Sequence, residues 1–119
     1  MAMQNRIRIS EEQETEIGSL LFSSYLNMSL IYMKQEKHLR AVEVLTSALS
    51  LQNSVKALVR RASCFIQLQE PEKAEEDLKV IRAMDHGEFS VEVEQLSKKA
   101  KNLQNSLSKN SGFNFKKLF

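Results

Sequence analysis

Lys56 and Arg60 stand four residues apart, a spacing that puts both cations on one face of a helix. Two converging cations can receive a carboxylate through charge-assisted hydrogen bonds, about twice as strong as neutral ones. The alternative reading is an ordinary solvated face, with Arg61 beside them pairing with Glu36 or Glu43. The other reactive side chains offer less. Cys64 is the only cysteine, so it has no disulfide partner and reads as a small core residue. His38 and His86 fall in predicted turns and read as surface residues; with a single Cys they form no zinc-ligand spacing. No Ser/His/Asp set, Gly-rich phosphate loop or carboxylate pair is recognisable. No enzyme activity, cofactor or metal is therefore expected.

Such cations need a scaffold, and the composition dictates its class. With 119 residues the chain is expected to form one domain, and 3 Gly and 1 Pro cannot supply the turns of an all-β domain. The abundant Leu, Lys, Glu, Gln and Ala are strong helix formers, so an all-α fold is expected. The net charge of +2 lacks the excess of a dedicated nucleic-acid binder. Charge is nevertheless segregated. Residues 1–20 carry two basic and four acidic side chains, and residues 34–61 six and two. Residues 70–88 carry three and seven, and residues 92–119 six and two. The first residues lack an apolar secretion signal, and the uncharged run Ile17 to Met33 is too short and too polar to span a bilayer. A lone cysteine and no signal lead us to expect a cytoplasmic protein, with the nucleus left open, and no membrane partner.

Periodicity places the helices. Ser10-Glu11-Glu12-Gln13 has capping-box spacing. From it Ile17, Leu20, Leu21, Tyr25, Met28, Ile31 and Tyr32 form one apolar stripe of a long helix. A second stripe runs through Leu39, Val42, Leu45, Ala48 and Leu49, and a third, after an N-cap at Asn53 or Ser54, through Val55, Leu58, Ala62, Phe65, Ile66 and Leu68. Pro71 suits the first turn of a fourth helix with Ala74, Leu78, Ile81 and Met84, which Gly87 stops. A fifth helix carries Phe89, Val93, Leu96, Ala100, Leu103 and Leu107 as a narrow heptad-like seam. Ser108 to Gly112 reads as a flexible break, before a tail, Phe113 to Phe119, whose aromatic residues have nothing local to bury them.

Displacing the chain by thirty-three residues lays Tyr25 on Leu58, Ser29 on Ala62, Tyr32 on Phe65, Ala41 on Ala74, Leu45 on Leu78 and Ala48 on Ile81. The small pairs Ser29 with Ala41 and Ala62 with Ala74 let two antiparallel helices approach. This pattern resembles the tetratricopeptide repeat. The resemblance implies an antiparallel helix-turn-helix superhelix of two repeats with a long C-terminal capping helix. The expected organisation is an N-terminal segment 1–10, a first repeat 11–54 with an extended first helix, a second repeat 55–88, a capping helix 89–109 and a flexible aromatic tail 110–119. The first copy (22–54) lacks the closing Pro, having Asn53, and the second puts Arg61 at a usually apolar position. The runs Tyr25 to Lys34 and Lys56 to Ala62 are further similar to the second and third repeats of FKBP-type immunophilin co-chaperones. Neither the isomerase domain nor the first repeat of that family is present in this sequence.

The resemblance implies a site. The first helix of each repeat lines a concave groove, here through Ser23, Leu26, Asn27, Leu30, Met33 and Lys34, then Lys56, Val59, Arg60, Ser63, Ile66 and Gln67. Asn27 shares the repeat position of Arg60. By resemblance Asn27, Lys56 and Arg60 take three of the five positions of a carboxylate clamp, which grips the C-terminal peptide of a heat-shock protein 90 or 70 class chaperone. The two remaining positions belong to the absent first repeat. The competing expectation is a scaffold or assembly subunit that binds a folded protein, or itself as a homodimer, through the capping helix and the open repeat face. Nucleic acid is not an expected partner.

Overall fold

A computed structural model describes residues 8–84, 87 and 89–118, with side chains as far as residue 109. Its described residues are all-α: α1 (Glu11–Lys34), α2 (His38–Leu51), α3 (Val55–Gln67), α4 (Pro71–Met84) and α5 (Ser90–Leu118). Local chemistry accounts for the starts. The Gln13 amide donates to Ser10 Oγ at 3.1 Å while the Ser10 amide donates to Gln13 Oε1 at 2.9 Å, a closed capping box. At α3 the Ala57 amide donates to Ser54 Oγ at 3.2 Å. Gly87, beyond α4, has φ 101°, a region that side-chain-bearing residues avoid.

The thirty-three-residue repeat is also written in the turns. Glu36 and Gln69, thirty-three apart, both take left-handed backbone, at φ 59° and 60°. After α1 the Lys37 amide donates to the Tyr32 carbonyl at 2.8 Å and the Glu36 amide to the Met33 carbonyl at 3.0 Å. After α3 the Glu70 amide donates to the Phe65 carbonyl at 2.8 Å and the Gln69 amide to the Ile66 carbonyl at 3.0 Å. Both turns are Schellman motifs that satisfy the last carbonyls of the helix. They hold a residue other than glycine where the left-handed conformation costs on the order of 1 kcal/mol. Two such turns at the same repeat position mark α1–α2 and α3–α4 as copies of one helix-turn-helix unit.

Packing is sequential. α1 lies on α2, α2 on α3 and α3 on α4, and α5 rests against both α4 and α3. Leu58, Ala62, Ala74, Leu78, Ile81, Val93 and Leu96 form the larger core cluster. Ala41, Leu45, Ala57 and Cys64 form a second one between the repeats, lined by Leu26, Tyr32 and Met33 of α1. The two expected close approaches are made: Ser29, Ala41, Ala62 and Ala74 are all fully buried.

Three expectations change. The apolar stripe of α1 is packed only along its tyrosine edge, where Tyr32 lines the second core cluster, for Ile17, Leu20, Leu21, Met28 and Ile31 are exposed and Ser29 is the buried residue of that helix. α1 turns its Leu26–Ser29–Met33 side to the neighbours, because only there are small residues opposed across the hairpin. The seam of α5 is the reverse case: Val93, Leu96 and Ala100 are buried within the chain, and the first two belong to the larger core cluster. Finally, no break occurs at Ser108–Gly112, since α5 continues to Leu118. Ser, Asn and Lys each cost well under about 1 kcal/mol in a helix and Gly about 1 kcal/mol. The side chains of the aromatic tail, like His86 and residues 1–7, lie outside the described residues.

Candidate functional site

α1 overhangs its partner helix. Gly18 lies level with Leu51 and Gln52 at the end of α2, where Glu14, Thr15 and Ser19 also line a shallow depression. The first turn, with Glu11 and Glu12, therefore projects beyond the hairpin, and Glu14 and Glu16 lie at its end. The remaining length divides into three longitudinal faces. Phe22, Leu26, Ser29 and Met33 turn inward, Ser23, Asn27, Leu30 and Lys34 occupy one exposed flank, and the apolar stripe occupies the other.

Arg60 ties the exposed flank of α1 to α3. Its Nη1 donates to the Leu26 carbonyl at 3.2 Å, an oxygen that also accepts the Ser29 hydroxyl at 2.6 Å. The bond brings a guanidinium from the second repeat to the level of Asn27, the residue after Leu26. Half-burial lowers the Arg60 pKa from its ordinary value by desolvation, yet an arginine side chain remains charged over the accessible pH range. Lys56 stands exposed one turn earlier on the same face of α3. Among the described residues, neither Lys56 nor Arg60 has a carboxylate within ion-pair distance. A desolvated guanidinium and an adjacent ammonium without a counter-charge attract an anion.

Arg61, the next residue, is committed elsewhere, and not to Glu36 or Glu43. Its Nε and Nη2 donate to the two Asp77 oxygens at 2.8 and 2.7 Å, and Nη1 donates to Thr46 Oγ1 at 3.1 Å. The Asp77 hydrogen bonds raise the Arg61 pKa, partly offset by burial. The antiparallel α3–α4 hairpin places position 61 opposite 77, and the hydrogen bond that Arg61 makes to the first repeat is to Thr46 of α2. Arg61 and Lys73 also each lie 5.8 Å from the centroid of the Phe65 ring.

The other groove positions are distributed along the same surface. Ser23, Leu30 and Lys34 are exposed on α1, Gln67 is exposed at the end of α3, and Ser63 is half-buried. Ser63 and Val59 line a cavity of about 190 Å³ whose far wall is Glu92, Gln95, Leu96 and Lys99 of α5. These α5 residues were not among the expected groove positions. Continuing the thirty-three-residue register once more would have reached them, because Val59 falls on Glu92 and Ser63 on Leu96.

Burial pushes the Cys64 thiol up to about 11, so it stays protonated at neutral pH. His38 is not a turn residue: it opens α2, is half-buried, and its Nδ1 has no hydrogen-bond partner among the described residues. No cluster of three metal-ligating side chains occurs among the described residues. No helix among them is long and apolar enough to cross a membrane.

The fold thus defines a class, a superhelix of helix-turn-helix units with an exposed flank between successive first helices. Comparison with known families agrees: the tetratricopeptide-repeat model matches residues 22–54, the second half of α1 with its turn and α2. The chain carries a tetratricopeptide repeat, a unit that supports protein–protein interaction.

Proposed function

We propose that the chain is a peptide-binding adaptor whose groove receives the carboxylate of an acidic C-terminal tail, with Asn27, Lys56 and Arg60 as the receiving side chains. The observation that carries this reading is the bond from Arg60 to the Leu26 carbonyl. It holds against α1, at the carbonyl of the residue before Asn27, a cation with no carboxylate partner among the described residues. The guanidinium keeps further N–H groups to donate, Lys56 adds a second charge, and the Asn27 amide can donate to the same ligand. The similarity to FKBP-type immunophilin repeats supports a co-chaperone role, with a heat-shock protein 90 or 70 class chaperone supplying the tail in the cytoplasm. These three side chains are three of the five positions of the carboxylate clamp that the resemblance implies.

The test is a titration with a peptide ending Glu-Glu-Val-Asp and with its C-terminal amide. The free carboxylate should bind, and should weaken as salt rises. Replacing exposed Lys56 by Ala should weaken it by about 10-fold or more, the scale of a hydrogen bond to a charged group. Arg60→Ala should weaken it at least as much. Equal affinity for acid and amide, or no binding at low salt, overturns the proposal.

A further inference from the structure

The apolar flank of α1 is an exposed feature, among the described residues, that the groove does not use. Ile17, Leu20, Leu21, Ser24, Met28 and Ile31 fall within an arc of about 100° and run about 21 Å along the helix. Leu20 is 68% exposed and Ile31 54%, far from the usual burial of such residues. The repeat register says what this face is built for. Ser24 and Ile31 fall on Ala57 and Cys64 of α3, which are fully buried where α3 packs on the first repeat. The same face on α1 has no neighbour among the described residues.

We propose that this face is covered by α1 of a second copy of the chain, antiparallel, in a two-fold symmetric dimer. Charge selects the occupant. Every acidic side chain of α1 lies in its first six residues, Glu11, Glu12, Glu14 and Glu16, and then no charge appears until Lys34. The basic Lys37 and Arg40 follow just beyond, with Glu36 the one opposing charge in that stretch. Antiparallel pairing lays the acidic end of α1 in each protomer over the basic α1–α2 turn of its partner. Parallel pairing would stack glutamate on glutamate. With the axis at Ser24, Ile17 meets Ile31 of the partner subunit, Leu20 meets the partner's Met28, and Lys34 lies along the same edge as the partner's Glu16. The small Ser24 at the crossing lets the two helices approach closely, and the isologous contact closes on itself without propagating. The contact is smaller than a permanent interface, so the dimer is a weak, concentration-dependent one. Of the groove flank of α1 it engages Lys34 and leaves Ser23, Asn27 and Leu30 uncovered, and it does not depend on the peptide proposal.

Sedimentation equilibrium of the full chain, from micromolar to near-millimolar protein, should show a reversible monomer–dimer equilibrium. Leu20→Glu should weaken it by 10-fold or more while leaving the helical signal and melting temperature of the dilute protein unchanged. Glu16→Lys and Lys34→Glu should each weaken it, and the double exchange should recover it. Under oxidation Ser24→Cys should cross-link the dimer and Ile17→Cys should not, because antiparallel helices bring together position 24 but separate position 17 from its own copy. A chain that stays monomeric throughout overturns the proposal, and so does a dimer indifferent to Leu20→Glu, which would be joined through another surface. Cross-linking at both positions overturns the antiparallel arrangement.

Discussion

The two repeats share a hairpin and differ in what surrounds it. Both make the same left-handed turn, at Glu36 and at Gln69, and both bury a small pair across the hairpin, Ser29 with Ala41 and Ala62 with Ala74. Yet α3 buries Ala57, Leu58, Ala62 and Cys64 in 13 residues, while α1 buries Ser29 in 24. α3 is flanked by α2, α4 and α5, and α1 chiefly by α2. The repeat's own pattern therefore encodes the hairpin, and the neighbours decide which remaining faces become core. A second difference lies at the hairpin's rim. Arg61 and Asp77, bridged at 2.7 Å, fall at the repeat positions of Met28 and Val44. An ion pair in one copy corresponds to an apolar pair in the other.

The largest expected effect tests the flanking. Leu45 and Leu78 are equivalent and both fully buried, but Leu78 belongs to the cluster that α5 closes with Val93 and Leu96. Truncating a buried leucine to alanine costs about 2–5 kcal/mol, more where the surroundings cannot collapse. Leu78→Ala should fall in the upper half of that range and Leu45→Ala in the lower half, by denaturant unfolding. Equal losses would mean that α5 adds nothing to the second repeat.

The ion pair gives the next effect. Asp77→Val leaves Arg61 half-buried without its carboxylate and should cost about 2–3 kcal/mol, short of a fully buried pair because Arg61 retains some solvent. Adding Arg61→Met installs the pair of the first repeat and should recover most of that loss, since apolar replacement of an ion pair is often neutral. The double-mutant cycle measures the coupling. If the double variant is no better than Asp77→Val alone, the two repeats are not interchangeable at this position.

What could be read from the chain follows the same division. The Ser10 capping box, the Ser54 cap and the hairpin pairs are local chemistry, and the helix boundaries they imply stand in the structure. The left-handed turns were invisible because Glu36 and Gln69 carry none of the usual Gly or Asn signal; the hydrogen bonds to Tyr32, Met33, Phe65 and Ile66 hold them instead. The partner of Arg61 was hidden because Asp77, sixteen residues away, is brought opposite it by the α3–α4 hairpin and not by any helical spacing. Periodicity located the stripes of α1 and α5, but periodicity cannot say which stripe meets a neighbour. The stripe of α5 is buried within the chain, and that of α1 is packed only along its tyrosine edge. For the candidate site, the spacing of Lys56 and Arg60 placed both on one face, but the contact with Leu26 depends on how far apart α1 and α3 stand.

The smallest effect probes that last contrast. Leu20→Ser removes a large apolar side chain from a helix, a change that in the core of α3 would be severe. At 68% exposure, little apolar surface is withdrawn from water within one protomer, and a substitution of this kind usually shifts stability by less than about 0.5 kcal/mol. Serine's lower helix propensity adds a few tenths, about 0.5 kcal/mol at most. Thermal unfolding of dilute protein should therefore barely distinguish Leu20→Ser from the parent, while concentrated samples should separate, the parent gaining stability through association that the variant lacks. A loss above about 1.5 kcal/mol in dilute protein exceeds both contributions. That result would mean that Leu20 is packed within its own protomer and that α1, like α3, is flanked on both sides.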